Sequence, residues 1–176
     1  MFFDIDEIPE SGYDFKLALD KDNLKINGRD CSLSGPATVQ GRLIKIEKDV
    51  YLKGRITTAL SVVCTRCLGL FEHPVECEVS ARFVPKSKSG DLEDDLELHT
   101  SDIDTEYYSE NKINIFNPVH DQILLAVPMV RLCRKDCKGL CPTCGKNLNE
   151  GSCDCDQDDS IDPRLSILKS LKDKIK

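Results

Sequence analysis

Six cysteines fall within twenty-three residues near the C-terminus: Cys133, Cys137, Cys141, Cys144, Cys153 and Cys155, in the run CRKDCKGLCPTCGKNLNEGSCDC. Cys141-Pro142-Thr143-Cys144-Gly145 has the form of a metal knuckle. Its two sulfurs sit three residues apart around a tight turn that Pro142 stiffens and Gly145 relaxes, so both can reach one ion. Zinc favours about four thiolate or imidazole ligands in a tetrahedron. The leading set is Cys141 and Cys144 with Cys153 and Cys155, because Lys146–Gly151 can form a short loop between the two pairs. Cys133 and Cys137 are the alternative second pair. Zinc is the expected cofactor, with one ion per chain as the minimum. An iron–sulfur cluster also uses thiolates, but the spacing does not match the ferredoxin runs.

The compartment argues for metal over disulfides. The N-terminal MFFDIDEIPESGYDF is acidic where a secretory signal needs a basic start and a long apolar run. No stretch approaches the length of a membrane span. A cytoplasmic protein is expected, with no membrane partner, and there clustered thiols bind metal more often than they cross-link.

A second pair, Cys64 and Cys67, lies in Cys64-Thr65-Arg66-Cys67-Leu68-Gly69 between two extended segments. Three readings compete: half of a metal site closed by other cysteines, a redox dithiol, or a structural pair. Redox chemistry favours a cysteine at a helix N-terminus, whereas Cys64 leaves a strand and enters a turn. With the six C-terminal cysteines these two make eight thiols, enough for two tetrahedral sites. Cys31 and Cys77 read as core residues, and His73 as a satisfied structural histidine.

The elements that must carry these thiols are mostly strands. Residues 50–64 alternate, with Val50, Leu52, Ile56, Leu60 and Val62 on one phase and Tyr51, Lys53, Arg55 and Thr57 on the other. Residues 71–83 alternate equally cleanly. Period two over such lengths means a half-buried antiparallel sheet, with the two segments paired across the Cys64–Cys67 turn. Residues 14–20 form a shorter strand, and 37–46 are extended with a slip of phase. Residues 84–110 read as a long polar loop. Asn117-Pro118 predicts a helix start, with Asn117 as cap and Val119, Ile123, Leu124 and Val127 as the apolar stripe. Asp162-Pro163 repeats the device for a last helix.

The expected class is α+β: a mostly antiparallel sheet or partly closed barrel, one or two helices, and a C-terminal cysteine-rich zinc-binding segment. Residues 1–130 would form the mainly β domain, with an acidic insert at 85–110 and a helix near 117–127. Residues 131–176 would form the metal-binding segment and C-terminal helix.

The formal net charge of the 176 residues is −7, which by itself disfavours nucleic acid. Its distribution reverses that. Residues 91–106 hold eight acids and no Lys or Arg, which leaves +1 for the remainder. Segments 131–146 and 163–176 each carry five basic residues against one acid, and 42–55 carries five against two. Local patches, not total charge, set the attraction for phosphate. No nucleophile–base set, phosphate-cradling glycine loop or paired catalytic carboxylate motif is present, so an enzyme is not expected.

The order of the pieces is distinctive. A strand leads into Cys64-Thr65-Arg66-Cys67-Leu68, and a second strand ends Arg82-Phe83-Val84-Pro85. An acidic insert and a helix ending Leu124-Leu125-Ala126-Val127-Pro128-Met129 follow. Then come the run from Cys137 through Gly139-Leu140-Cys141-Pro142-Thr143-Cys144-Gly145-Lys146-Asn147-Leu148-Asn149, and Cys153-Asp154-Cys155. This resembles the bacterial YceD family of large ribosomal RNA subunit accumulation proteins, over about residues 30–172. The resemblance implies a cytoplasmic, non-catalytic role in accumulation or maturation of that RNA. The partner would be ribosomal RNA or a pre-ribosomal particle, with a ribosomal protein or assembly factor as a further possibility. On that reading Arg66, Arg131, Arg134, Lys135, Lys138 and Lys146 are the candidate phosphate contacts. The alternative is a thiol–disulfide oxidoreductase using Cys64 and Cys67; a transcription or chaperone-type zinc protein is a third reading that spacing alone leaves open.

Overall fold

The computed structural model describes residues 2–86 and 104–155. In chain order its elements are β1 (Phe2–Asp4), β2 (Tyr13–Leu19), α1 (Lys21–Leu24), β3 (Cys31–Leu33), β4 (Ala37–Ile46), β5 (Asp49–Val63), β6 (Leu70–Pro85), β7 (Thr105–Tyr108), β8 (Lys112–Asn114) and α2 (Phe116–Leu125). The chain divides into two compact units, Met1–Cys137 and Lys138–Lys176.

The first unit is built on a sheet of order β2-β4-β5-β6-β7, with β3 pairing the far end of β5. It is mostly antiparallel and does not close into a barrel among the described residues. Strand β5 is its spine. Its first part pairs with β4 from Ile46↔Asp49 to Thr38↔Thr57, and its last part pairs with β3 from Leu33↔Leu60 to Cys31↔Val62. On its other side it pairs with β6 without a break from Val50↔Phe83 to Val63↔Leu70. The alternation seen in the sequence is the alternation of burial: Val50, Leu52, Ile56, Leu60 and Val62 are buried to within 1%. A one-residue slip of this register would turn that whole face to water. Pro74 is tolerated within β6 because β7 pairs only with Arg82–Pro85, leaving the rest of that edge without a ladder partner among the described residues.

The inner face packs under β1, β8, α1 and α2. Ile5, Leu24, Ile113, Ile115, Val119 and Ile123 join the sheet residues in one apolar cluster.

Three expectations need correction. The polar stretch 84–110 is not all loop: β6 runs to Pro85, and Thr105–Tyr108 adds a strand, parallel to β6, with Arg82↔Thr105 and Pro85↔Tyr108 as its limits. Helix α2 begins at Phe116, and Asn117 does not cap it; the Asn114 Oδ1 accepts from the Phe116 N–H at 3.1 Å instead. Pro118 still falls in the first turn, where no intrahelical N–H partner is needed. Leu124, assigned to the apolar stripe, is 42% exposed, while Val119 and Ile123 are fully buried. Most of the acidic segment and the helix expected after Asp162 lie outside the described residues.

Candidate metal centres

The first centre lies in the first unit. Strand β5 ends at Val63, and Cys64–Gly69 folds into a tight turn before β6. Cys64 N–H donates to the Gly69 carbonyl at 2.9 Å, and Leu68 N–H returns to the Cys64 carbonyl at 3.0 Å. Leu68 takes a left-handed φ of +57° to complete the turn. This places the Cys64 and Cys67 sulfurs on one side. The chain after α2 supplies the other two. Thr65 N–H and its hydroxyl both donate to the Arg131 carbonyl, at 2.8 and 3.0 Å, and Arg66 Nη1 donates to the Cys137 carbonyl at 3.1 Å. The turn thus grips the irregular, turn-containing run that carries Cys133 and Cys137.

The four sulfurs all lie within 4.8 Å of one another. Cys64 Sγ is 3.8 Å from Cys137 Sγ, and Cys67 Sγ is 3.7 Å from Cys133 Sγ. A tetrahedral ion with metal–sulfur bonds of about 2.3 Å has sulfur–sulfur edges of about 3.8 Å. The two observed contacts match those edges, and both are far longer than a disulfide bond of about 2.05 Å. The ionisation of the group suits a cation. Burial opposes charge on Cys64, but N–H groups of Cys67, Cys133 and Arg66 outweigh it and bring the thiol down to about 6. Cys133 is pushed up to about 12 by desolvation and by its contacts with Cys67 and Cys137. Four thiols this close cannot all ionise without a cation to share the charge.

The second centre lies in the second unit. Cys141–Cys144 forms the knuckle read from the sequence. Gly145 N–H donates to the Cys141 carbonyl at 2.9 Å, and Cys141 N–H donates to the Lys146 carbonyl at 2.8 Å. Gly145 has φ +73°, the left-handed conformation that a side chain would resist. The asparagines then order the loop to the second pair. Asn149 Oδ1 accepts from the Lys138 N–H at 2.9 Å, and Asn147 Oδ1 accepts from the Asn149 N–H at 3.1 Å. Lys146 Nζ reaches the Ser152 carbonyl at 2.7 Å, just before Cys153. The sulfurs of Cys141, Cys144, Cys153 and Cys155 again lie within 4.8 Å of one another. N–H groups of Cys144 and Thr143 bring the Cys141 thiol down to about 6, and the Cys144 sulfur pushes Cys155 up to about 12.

The structure therefore brings Cys141, Cys144, Cys153 and Cys155 together as one group, and unites Cys133 and Cys137 with Cys64 and Cys67 rather than with the knuckle. Cys31 and Cys77 belong to neither group and pack against the core. Spacing in the sequence left Cys64 and Cys67 open between half of a metal site, a redox dithiol and a structural pair, and gave no partner for them. Of the expected phosphate contacts, Arg134 and Lys135 are exposed in the first unit, and Arg134 Nε lies 3.6 Å from Asp136 Oδ1. Arg66 is committed to the Cys137 carbonyl. Arg131 is half-buried, with its Nε enclosed and without a hydrogen-bond partner among the described residues. Lys138 and Lys146 are exposed in the second unit.

Comparison with known proteins adds the family. The sequence pattern described as "Large ribosomal RNA subunit accumulation protein YceD" matches residues 52–172, which includes all eight clustered cysteines. The chain belongs to the YceD family. Among YceD relatives, the chloroplastic YCED homolog 1 of Arabidopsis thaliana is 28% identical over 162 residues, which cover 80% of this chain and 50% of that protein. YlbN of Bacillus subtilis is 27% identical over 170 residues, 96% of this chain and 93% of its own length. The Zea mays YCED homolog 1 is 31% identical over 132 residues, 59% of this chain and 43% of that protein. This chain thus spans half the length of the Arabidopsis protein and nearly all of the Bacillus one. No solved structure matches it. Among the described residues, no helix is long and apolar enough to cross a membrane.

Proposed function

We propose that this YceD protein is a non-catalytic, cytoplasmic factor that binds large-subunit ribosomal RNA, or a particle containing it, and that two zinc ions hold its cysteine groups. The observation that carries this reading is that each group brings four protein thiols within 4.8 Å of one another, enough to complete the shell of one zinc ion with no position left for a substrate or a reactive water. Closed sites of this kind order the chain, and sulfurs within 4.8 Å of one another suit one ion better than a multi-iron cluster. The names of the relatives supply the RNA partner. Exposed Arg134, Lys135, Lys138 and Lys146 supply charge for phosphate. An oxidoreductase built on Cys64 and Cys67 is disfavoured, because Cys64 is 0% exposed and a reactive thiol must be reached.

The test is binding of the zinc-loaded full chain to labelled fragments of large-subunit ribosomal RNA across a salt series. Each phosphate contact should contribute a slope of about −0.7 to −0.9 in log affinity against log salt. Reversing Arg134, Lys135 and Lys138 to Glu together should weaken binding and flatten that slope with zinc content unchanged. Affinity indifferent to salt and to these reversals would reject the reading. A protein contact at the turn is compatible with it: Leu68, Leu70, Met129 and Val130 are 63–94% exposed. Polar replacement of Leu68 and Met129 should reduce co-purification of ribosomal proteins, and unchanged recovery would dismiss that contact.

A further inference from the structure

The outer face of the sheet carries a trough that none of the residues considered above explains. It has a volume of about 960 Å³ and crosses β2, β4, β5 and β6. Its floor is the backbone of one cross-strand row, Phe15–Gly41–Gly54–Val79, whose side-chain positions turn to the core. The two glycines let β4 and β5 approach closely along this row. A Cβ on Gly41 would sit 2.6 Å from the Lys53 carbonyl oxygen and 2.9 Å from the Gly54 Cα, and one on Gly54 would sit 2.7 Å from the Gln40 carbonyl oxygen. The strands approach so closely here that only glycine fits, and the flanking rows stand up as walls.

Those walls are polar. One is Lys16–Gln40–Arg55–Glu78, the other Asp14–Arg42–Lys53–Ser80, and all eight are exposed. Four cations and two carboxylates line the trough, and a third carboxylate, Glu76, pairs with Arg55 at its edge, in a chain of net charge −7. The carboxylates and their neighbours fix the arginines. Asp14 holds Arg42 at 3.5 Å, with the Ser11 carbonyl also accepting from its guanidinium, and Glu76 holds Arg55 at 2.9 Å. Lys16 and Lys53 have no ion pair among the described residues. Arg42 and Lys53 stand directly opposite each other on one face of an antiparallel pair. Like charges so placed destabilise a sheet, and Lys53 has no carboxylate within ion-pair distance among the described residues. Ion pairs account for the two arginines but not for the two lysines, and an anion lying in the trough would offset both.

We propose that this trough is a phosphate-binding surface for ribosomal RNA, with Lys16 and Lys53 as direct contacts and Arg42 and Arg55 as fixed cations beside them. It rests on the RNA-binding reading above and adds a second surface to it. Polar walls over a floor of backbone, with no aromatic side chain standing in them, suit the sugar–phosphate chain more than stacked bases, so the contact would position RNA without reading its sequence.

The experiment compares the zinc-loaded full chain with the Lys16→Gln/Lys53→Gln variant, using labelled large-subunit ribosomal RNA fragments and, separately, poly-glutamate. Both lysines are exposed and outside the ion pairs, so folding and zinc content should be unchanged. The variant should bind RNA about tenfold more weakly at 0.1 M salt, with a salt slope shallower by about one to two. Equal affinity and slope for the two proteins, alongside weakening by the Arg134, Lys135 and Lys138 reversals, would overturn the trough and leave the RNA reading standing. Failure of the unmodified protein to bind RNA at any salt would reject both. Binding of poly-glutamate as tight as that of RNA, and lost in the variant, would make the trough an acidic-polypeptide site and overturn the proposal.

Discussion

Cysteine by cysteine, the two groups are independent, since no sulfur is shared between them. Zinc-loaded protein purified without chelator should contain two ions per chain by elemental analysis. Cys64→Ser and Cys141→Ser should each lower this to about one, because three remaining thiolates leave the tetrahedron open. Unchanged zinc in either variant would dissolve that group as a metal site. Removing Cys64 should also loosen the grip of the turn on Arg131 and Cys137, so protease cleavage near residues 129–137 should quicken. Half of this chemistry was legible in the chain. The knuckle and Cys153-Asp154-Cys155 are local, and a tight turn with its closing loop can be read from spacing. The other group could not be read so, because Cys64 and Cys133 are separated by four described elements, β6, β7, β8 and α2, whose packing no local signal encodes.

The strands and helix have their own tests. Val62 is 0% exposed on the core phase of β5, while Lys53 stands on the outer phase. Val62→Lys should cost about 3 kcal/mol or more by burying a charge in an apolar layer, and Lys53→Glu should stay within about 0.5 kcal/mol, both by chemical denaturation. Equal losses would contradict the register of β5. Gly41→Ala should cost about 1–3 kcal/mol, since its Cβ would meet backbone that cannot swing aside; a neutral result would mean the strands separate there freely. The long strands were legible because their alternation is unbroken over a dozen residues. Strand β7 was not: Thr105-Glu106-Tyr107-Tyr108 is short, follows an acidic stretch, and owes its existence to parallel pairing with distant β6. The start of α2 was displaced because Asn114 and Asn117 both precede an apolar run, and only the structure distinguishes which amide the helix uses.

For the whole molecule, the decisive quantity is where charge lies, not its sum. A chain of net charge −7 can attract RNA if its acids are gathered away from its basic surfaces. Deleting residues 91–103, which stops short of β7, should therefore strengthen RNA binding or leave it unchanged in the same salt series; marked weakening would mean the segment takes part in recognition. The central claim, that the chain associates with large-subunit ribosomal RNA through its basic residues and two metal-held groups, is tested most directly by cross-linking the intact protein to RNA in growing cells and sequencing what it holds. Strong enrichment of large-subunit ribosomal RNA is expected, reduced by the Arg134, Lys135 and Lys138 reversals. An RNA profile no different from that of an unrelated tagged control would contradict it.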